Sequence, residues 1–486
     1  MADISYRARK SVADIVRSAD AEGGRALSKT LGAPSITAMG IGAIIGAGIF
    51  VLTGTAAAQF AGPGIILSFV LGGIACAFVG LCYSELAAML PVCGSTYTYT
   101  YATLGEVFAW IIGWDLILEY AMGAATVAVG WSGYIVSLLH NIGIAIPPTL
   151  AAAPGTTVQL ADGTTASGMI NLPAVLIVAI LTTMLVLGTR ESARLNNIMV
   201  AIKLTVVVAF IAIGASFVHP ANWHPFVPPN TGAFGSFGAS GILRGSAVVF
   251  FAFIGFDAVS TAAQEAKRPQ RDMPIGILGS LVICTLLYIL VAAVLTGLVP
   301  YAQLNVPDPI AKGVDAIGFT WFSVLIKIGA LTGLTTVILV LLYGQSRIFF
   351  TMSEDGLLPH LFSSVHPRLH TPHRSQLMIG TVVAIVAALT PIGILGEMVS
   401  IGTLFAFVLV CGAVIYLRRS DSDAARPFRA PGVPIVPILG IAFCLLLMVG
   451  LPLITWVRLV VWLLIGMLIY MLYGRHHSRL RHPERQ

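Results

Sequence analysis

Gly40-Ile41-Gly42-Ala43-Ile44-Ile45-Gly46-Ala47-Gly48-Ile49-Phe50 is the stretch on which the fold turns. It lies in an apolar segment, yet each glycine costs about 1 kcal/mol against alanine in a helix interior. Two readings compete. Small residues let helices pack closely in a membrane, or the chain unwinds here and offers free amides and carbonyls to a ligand. A second stretch decides between them. Phe250-Phe251-Ala252-Phe253-Ile254-Gly255-Phe256-Asp257 again puts a glycine at mid-depth of an apolar segment, now followed by an ionisable residue. Interrupted segments at corresponding positions of two halves point to an inverted-repeat transporter.

The rest of the chain agrees with a membrane setting. Of 486 residues, 57% are hydrophobic and 10% charged, and the mean hydropathy is +0.91. A soluble domain carries roughly 25% charged residues. Apolar runs of membrane-crossing length fall near 34–60, 64–90, 105–138, 172–188, 194–217, 242–266, 274–299, 317–351, 375–391, 397–417, 433–455 and 457–474. The sequence therefore predicts an all-α integral membrane protein of twelve transmembrane helices. Helices 1 to 5 would repeat as 6 to 10 with the opposite sense, helices 1 and 6 being broken. The third and eighth runs exceed a membrane thickness and are either tilted or extend beyond it.

The expected organisation is an arm over 1–33, a transporter domain over 34–474 and a tail over 475–486. Within the domain, repeat one covers about 34–217, repeat two about 242–417, and two added helices about 433–474. Residues 1–33 mix acidic and basic side chains without an apolar core, so no cleavable signal peptide is expected there. With the N-terminus inside, 22 of the 27 Lys and Arg residues fall in inner segments, and only Arg244, Lys312 and Arg458 fall outside. The asymmetry predicts a multi-pass protein of the cell membrane with both termini cytoplasmic. The longest outer connection, 139–171, has no Lys or Arg and reads as a small loop. The net charge of +6 is dispersed between spans, so a nucleic-acid partner is not expected. The six cysteines have no paired spacing, so neither a disulfide framework nor a metal site is implied.

The two breaks suit a zwitterion. Half-helix N-termini present free N–H groups and the positive dipole end to a carboxylate, while C-terminal carbonyls accept from an ammonium. The carboxylate is expected on the amides near Gly46, Ala47 and Gly48, between Ile45 and Ile49. The amine is expected on carbonyls near Phe250, Phe251 and Phe253, flanked by Ala252, Ile254 and Gly255. Neither end needs a side-chain charge, a cofactor or a metal.

At these residues the chain resembles the amino acid-polyamine-organocation transporters, and within them the cationic amino acid transporter branch with its bacterial members. The matching stretches are Gly40 to Phe50, Gly113-Trp114-Asp115-Leu116-Ile117-Leu118-Glu119-Tyr120 and Phe253 to Thr261. Two more are Glu265-Ala266-Lys267-Arg268-Pro269-Gln270-Arg271-Asp272-Met273-Pro274 and Ser353-Glu354-Asp355-Gly356-Leu357-Leu358-Pro359. The resemblance covers about residues 30 to 475. It implies a LeuT-like five-plus-five fold and proton-coupled or exchange transport. Relatives often carry Thr or Ser where this chain has Ala47, so a hydroxyl contact to the substrate is missing here. Leu341 aligns with a position where some cation-selective relatives have a smaller residue, which points to small or medium neutral amino acids.

Ionisable residues within spans are expensive and ask for a function. Lys203, about eight residues into the fifth span, either snorkels to the interface or occupies the place a sodium ion holds in sodium-coupled relatives. The resemblance implies that it is the proton-coupling lysine. Glu119 either lines the pocket and helps select a basic side chain or makes a structural bond to a neighbouring helix. Asp257 either caps the half-helix after the break or serves the proton or substrate. Asp115 and Glu85 fit structural or gating networks, and Lys327 either pairs with a carboxylate or snorkels. Phe253 and Phe256 could close over the substrate or simply pack.

The expected function is import of L-amino acids by proton symport through alternating access, the partners being an amino acid, a proton and the bilayer. An amino acid exchanger or a carrier of arginine and lysine would use the same site. A non-transporting sensor is more remote. An enzyme is not expected: there is no His-Glu-x-x-His run and no Gly-x-Ser-x-Gly elbow. A major facilitator fold would lack the two breaks and needs a long central loop. The oligomeric state is open, a monomer being compatible.

Overall fold

The computed structural model describes residues 31–90, 95–160, 163–188, 193–369, 371–420 and 425–481. The expected N-terminal arm therefore lies almost wholly outside the described residues. Helices dominate the rest. Label them α1 (Ala33–Ile44), α2 (Ile65–Met89), α3 (Ser95–Thr103), α4 (Glu106–Asn141), α5 (Leu172–Leu187), α6 (Ala193–Gly214) and α7 (Gly238–Val249). Beyond these lie α8 (Pro269–Leu298), α9 (Pro309–Asp315), α10 (Thr320–Glu354), α11 (His373–Leu389), α12 (Ile392–Ser420), α13 (Ile435–Val449) and α14 (Leu453–Ile469).

Among the described residues, eight helical stretches are long and apolar enough to cross a membrane, and α1, α5, α11 and α13 are shorter apolar helices. α10 runs for 35 residues, about 50 Å at 1.5 Å per residue, well beyond a hydrocarbon core of roughly 30 Å. The outward surface is apolar. Leu453 is 79% exposed and Leu472 71%, and on α14 only 22% of the most apolar window is buried. Such a belt is unfavourable in water and neutral in lipid, so this is a multi-pass membrane protein.

Small residues set the helix contacts. A Cβ on Gly40 would lie 2.6 Å from the Ser280 hydroxyl, one on Gly276 2.3 Å from Ile36, and one on Gly73 2.6 Å from Thr285. α8 is thereby seated against both α1 and α2. With no hydrophobic drive between helices in lipid, such close approach supplies the packing. Part of the glycine run thus does serve packing, as its plainer reading expected.

Buried ion pairs tie the two ends. At one end Arg418 Nε and Nη2 donate to the two Glu85 carboxylate oxygens, each at 2.8 Å, and the Ala430 amide donates to the same group. Nearby, Glu106 accepts from Tyr470 (2.7 Å), from Arg481 (2.8 Å) and from Ser478, docking the tail on the start of α4. At the other end Arg244 pairs with Glu397, which also accepts from Thr455 (2.7 Å). Lys327 lies 3.9 Å from Asp308 and donates to Asn141 (3.3 Å), so it pairs rather than snorkels. The loop 139–171 holds a short antiparallel hairpin, β1 (Thr157–Gln159) with β2 (Thr165–Ser167).

Candidate functional site

α1 stops at Ile44 because Ile45 takes an extended conformation, φ −73° and ψ 101°. The helix resumes as a π-type turn over Gly48–Leu52. Interrupting a helix frees carbonyls on one side and amides on the other. The freed carbonyls are met by two side chains from other helices. Lys203 Nζ, fully buried on α6, donates to the carbonyls of Gly42 and Ile45 (the latter at 3.2 Å) and lies 3.4 Å from the Thr336 hydroxyl. The Tyr288 hydroxyl on α8 lies 2.9 Å from both the Ile44 and the Ala252 carbonyl oxygens. Further along, Thr53 donates to the Gly48 carbonyl (3.1 Å) and Tyr134 to that of Phe50 (2.8 Å).

The second break follows α7. A 3-10 turn covers Phe250–Phe253, Ile254 is extended, and a second 3-10 segment spans Ala258–Glu265. Gly255 has φ +110°, a region glycine enters without the steric cost of a side chain. Space requires glycine here too, since a Cβ would come 2.8 Å from the Ala43 carbonyl oxygen. Both expected breaks are therefore present, at Ile45–Gly46 and at Ile254–Gly255.

The breaks touch. A Cβ on Gly48 would lie 2.2 Å from the Ala252 Cα, so the two chains cross backbone on backbone. This sets Gly48, which opens the turn after the first break, against Ala252 of the 3-10 turn that follows α7. Gly46, Ala47, Gly48, Ile49, Phe250, Phe251 and Ala252 are all buried. The Ala252 carbonyl is engaged by Tyr288, and that of Phe251 accepts from the Ile254 amide (3.3 Å).

Around this crossing the wall is aliphatic. A Cβ on Gly46 would sit 3.4 Å from Val337, and one on Gly123 3.3 Å from Leu341. Val337 and Leu341, one turn apart on α10, thus address the first break and α4. Glu119 is buried with Asp257 as its strongest charged neighbour and Asp115 beyond. Asp257 makes no cap hydrogen bond to the turn that follows it, so the capping expectation fails: the turn's first bond uses the Asp257 carbonyl instead, accepting from Ser260 (2.8 Å). Asp115 abuts Gly402 of α12, where a Cβ would be 3.2 Å from its carboxylate.

Phe253 and Phe256, read as either closing over the substrate or packing, are packed here. Phe253 lies over Gly72 and meets Phe69 and Tyr288 at ring distances of 6.3 and 5.6 Å. Phe256 contacts Tyr83 and Phe407 at 5.5 and 5.1 Å. In this conformation both belong to the core.

Three residues escaped sequence reading. Tyr288 had a signal, since a hydroxyl in the run Leu286-Leu287-Tyr288-Ile289-Leu290 must find a partner when buried. Val337 stands four residues before Leu341 and shares its face. Thr336 had none, because a lone threonine in an apolar helix ordinarily bonds its own backbone, as Thr336 also does to Gly333 (2.7 Å).

A sequence model of the family described as "Amino acid permease" matches residues 31–474. The branched-chain amino acid permease BcaP of Bacillus subtilis is 50% identical over 97% of this chain and 98% of its own length. The methylthioribose transporter of Bacillus subtilis is 45% identical over 94% and 95%. The vacuolar cationic amino acid transporter 4 of Arabidopsis thaliana is 37% identical over 85% and 67%. The match spans both broken helices and everything packed around them, and the chain belongs to the amino acid permease family.

Proposed function

We propose that this permease imports L-amino acids by proton-coupled symport, with twelve spans, a five-plus-five inverted repeat and both termini in the cytoplasm. The observation that carries the reading is the meeting of the breaks at Gly48 and Ala252. Amides at the start of one half-helix and carbonyls at the end of another converge there, a pairing that suits a carboxylate and an ammonium on one carbon. The orientation rests on the cluster of Arg418, Arg475, Arg479 and Arg481 at the end where Leu31 lies, against Arg244, Lys312, Lys327 and Arg458 at the opposite end.

The substrate's side chain faces Val337 and Leu341, which favours a medium aliphatic amino acid such as a branched one. The 50% identical relative named for branched-chain substrates supports this choice. Glu119 and Asp257 sit where a carboxyl pair can serve the proton or the amine, and Phe253 and Phe256 are candidates for closing the site in another conformation. Lys203 is the coupling group. Its ammonium occupies carbonyls of the first break, so release of its proton would free Gly42 and Ile45 and let the half-helices shift.

Uptake of labelled leucine into proteoliposomes, with and without an imposed inward proton gradient, tests the proposal. Accumulation that follows the gradient is expected. Uptake that needs internal counter-substrate and ignores the gradient would make the protein an exchanger. Competition by the twenty amino acids and by methylthioribose, the substrate in the name of a 45% identical relative, decides the substrate class.

A further inference from the structure

A groove of about 720 Å³ runs along the outer face of α8, closed on one side by Pro427 and Phe428 of the connection between α12 and α13. Its floor follows one face of the helix from Gln270 and Arg271 through Leu278 to Val282 and Ile283. The thirteen steps from Gln270 to Ile283, at 1.5 Å each, span about 20 Å, the depth of one leaflet in a bilayer about 40 Å thick with its headgroups.

The groove is polar at one end only. Arg271 is exposed at its mouth, and among the described residues no carboxylate pairs with it. Exposed Lys267, Arg268 and Arg429 stand close by in the chain, on α8's lead-in and beside Phe428. Asp272 is the acidic group of this turn, but it is buried and accepts from the Arg268 amide (3.1 Å), so its charge is already engaged. Below the first turn the groove is aliphatic, and Val282 is 60% exposed. A cation at the head of a leaflet-long apolar trough complements one anionic phospholipid.

We propose that this groove binds an anionic phospholipid of the inner leaflet, its phosphate on Arg271 and an acyl chain along Leu278, Val282 and Ile283. The leaflet assignment rests on the proposed orientation. Binding itself does not depend on transport. The position gives the lipid a means to act, because α8 packs on α1 and α2 while Phe428 belongs to the connection held by the Glu85 cluster. A lipid seated there bridges the helix that carries Tyr288 and a part of the molecule anchored to α12.

Native mass spectrometry of the purified full chain with phosphatidylglycerol or phosphatidylcholine tests this without reference to substrate. The wild type should retain phosphatidylglycerol over phosphatidylcholine, and Arg271→Gln should lower that retention about fivefold, as expected for one basic side chain at an anionic surface. Arg271→Lys should keep most of it. Val282→Trp, which fills the trough and leaves the charge, should also lose it. Equal retention by the wild type and Arg271→Gln, or no preference of the wild type between the two lipids, would overturn the proposal. A wild type that retains phosphatidylglycerol selectively yet takes up no substrate would support the lipid site and overturn the transport reading alone.

Discussion

Gly48 and Ala252 meet backbone to backbone: the position a Cβ on Gly48 would take lies 2.2 Å from the Ala252 Cα. The two broken helices are in direct contact at the level where each has lost its regular hydrogen bonding. Everything else at the site is arranged around that contact. Tyr288 bonds a carbonyl from each break, and Lys203 holds the last carbonyls of the first.

Gly48→Ala forces the breaks apart. Overpacking a tight contact costs about 1–3 kcal/mol, and here the obstacle is backbone, which cannot rotate aside. Leucine uptake should fall to background while the protein still purifies at a lowered melting temperature. Unchanged uptake would mean that the crossing is not part of the site.

Tyr288→Phe removes a hydroxyl whose single proton is shared between two buried carbonyls, which lose their common donor. The expected cost is about 1–3 kcal/mol, visible as a lower melting temperature in detergent. Because the two breaks lose their common tie, KM for substrate should rise more than maximal uptake falls. A variant as stable and as tight-binding as wild type would show that the hydroxyl positions nothing.

For Lys203→Ala, accumulation driven by an imposed proton gradient should disappear, while exchange of internal for external substrate persists at a reduced rate. Both are read in the same proteoliposomes. Retention of full gradient-driven accumulation would remove Lys203 from coupling.

Breaking the Glu85 cluster tests the end bearing Leu31. Glu85→Ala removes the carboxylate that Arg418 holds at 2.8 Å and that lies 3.5 Å from buried Arg426, and removal of one partner of a buried pair costs roughly 3–5 kcal/mol. A large drop in thermal stability is expected, with Glu85→Gln intermediate because the amide still accepts from the Ala430 N–H.

Asp308 makes the opposite end sensitive to pH. It lies outside the membrane-crossing helices, and burial pushes its carboxyl above the ordinary value of 3.8, against the hydrogen bond from Ser137 and the charge of Lys327. The folded state then holds the proton at pH values where the unfolded chain has released it. Stability from this group is fully present below 3.8 and is lost as pH rises through the folded value. Asp308→Asn should flatten that part of the melting-temperature profile. A wild-type profile that instead rises through this window would contradict the sign.

Much of the site was legible in the sequence because lipid punishes exceptions. A glycine at mid-span, Lys203 in an apolar helix and the glycine before Asp257 each break a rule that the membrane enforces, and each stands at a break or its partner. Phe253 and Phe256 were not legible, since aromatic rings are ordinary in such helices and only their neighbours say where they point. Tyr288 was half legible: its hydroxyl demanded a partner, but nothing along the chain named two carbonyls 244 and 36 residues away.

The sequence by itself determined a membrane-embedded, all-helical permease with two interrupted helices, because hydropathy and backbone cost are properties of short stretches. Only the tertiary structure decided that the two interruptions cross at Gly48 and Ala252, that Lys203 and Tyr288 answer the carbonyls they release, and that Val337 joins Leu341 in the wall. Those are relations between residues far apart in the chain, and they come from helices packing closely enough that a single methyl group would hold them apart.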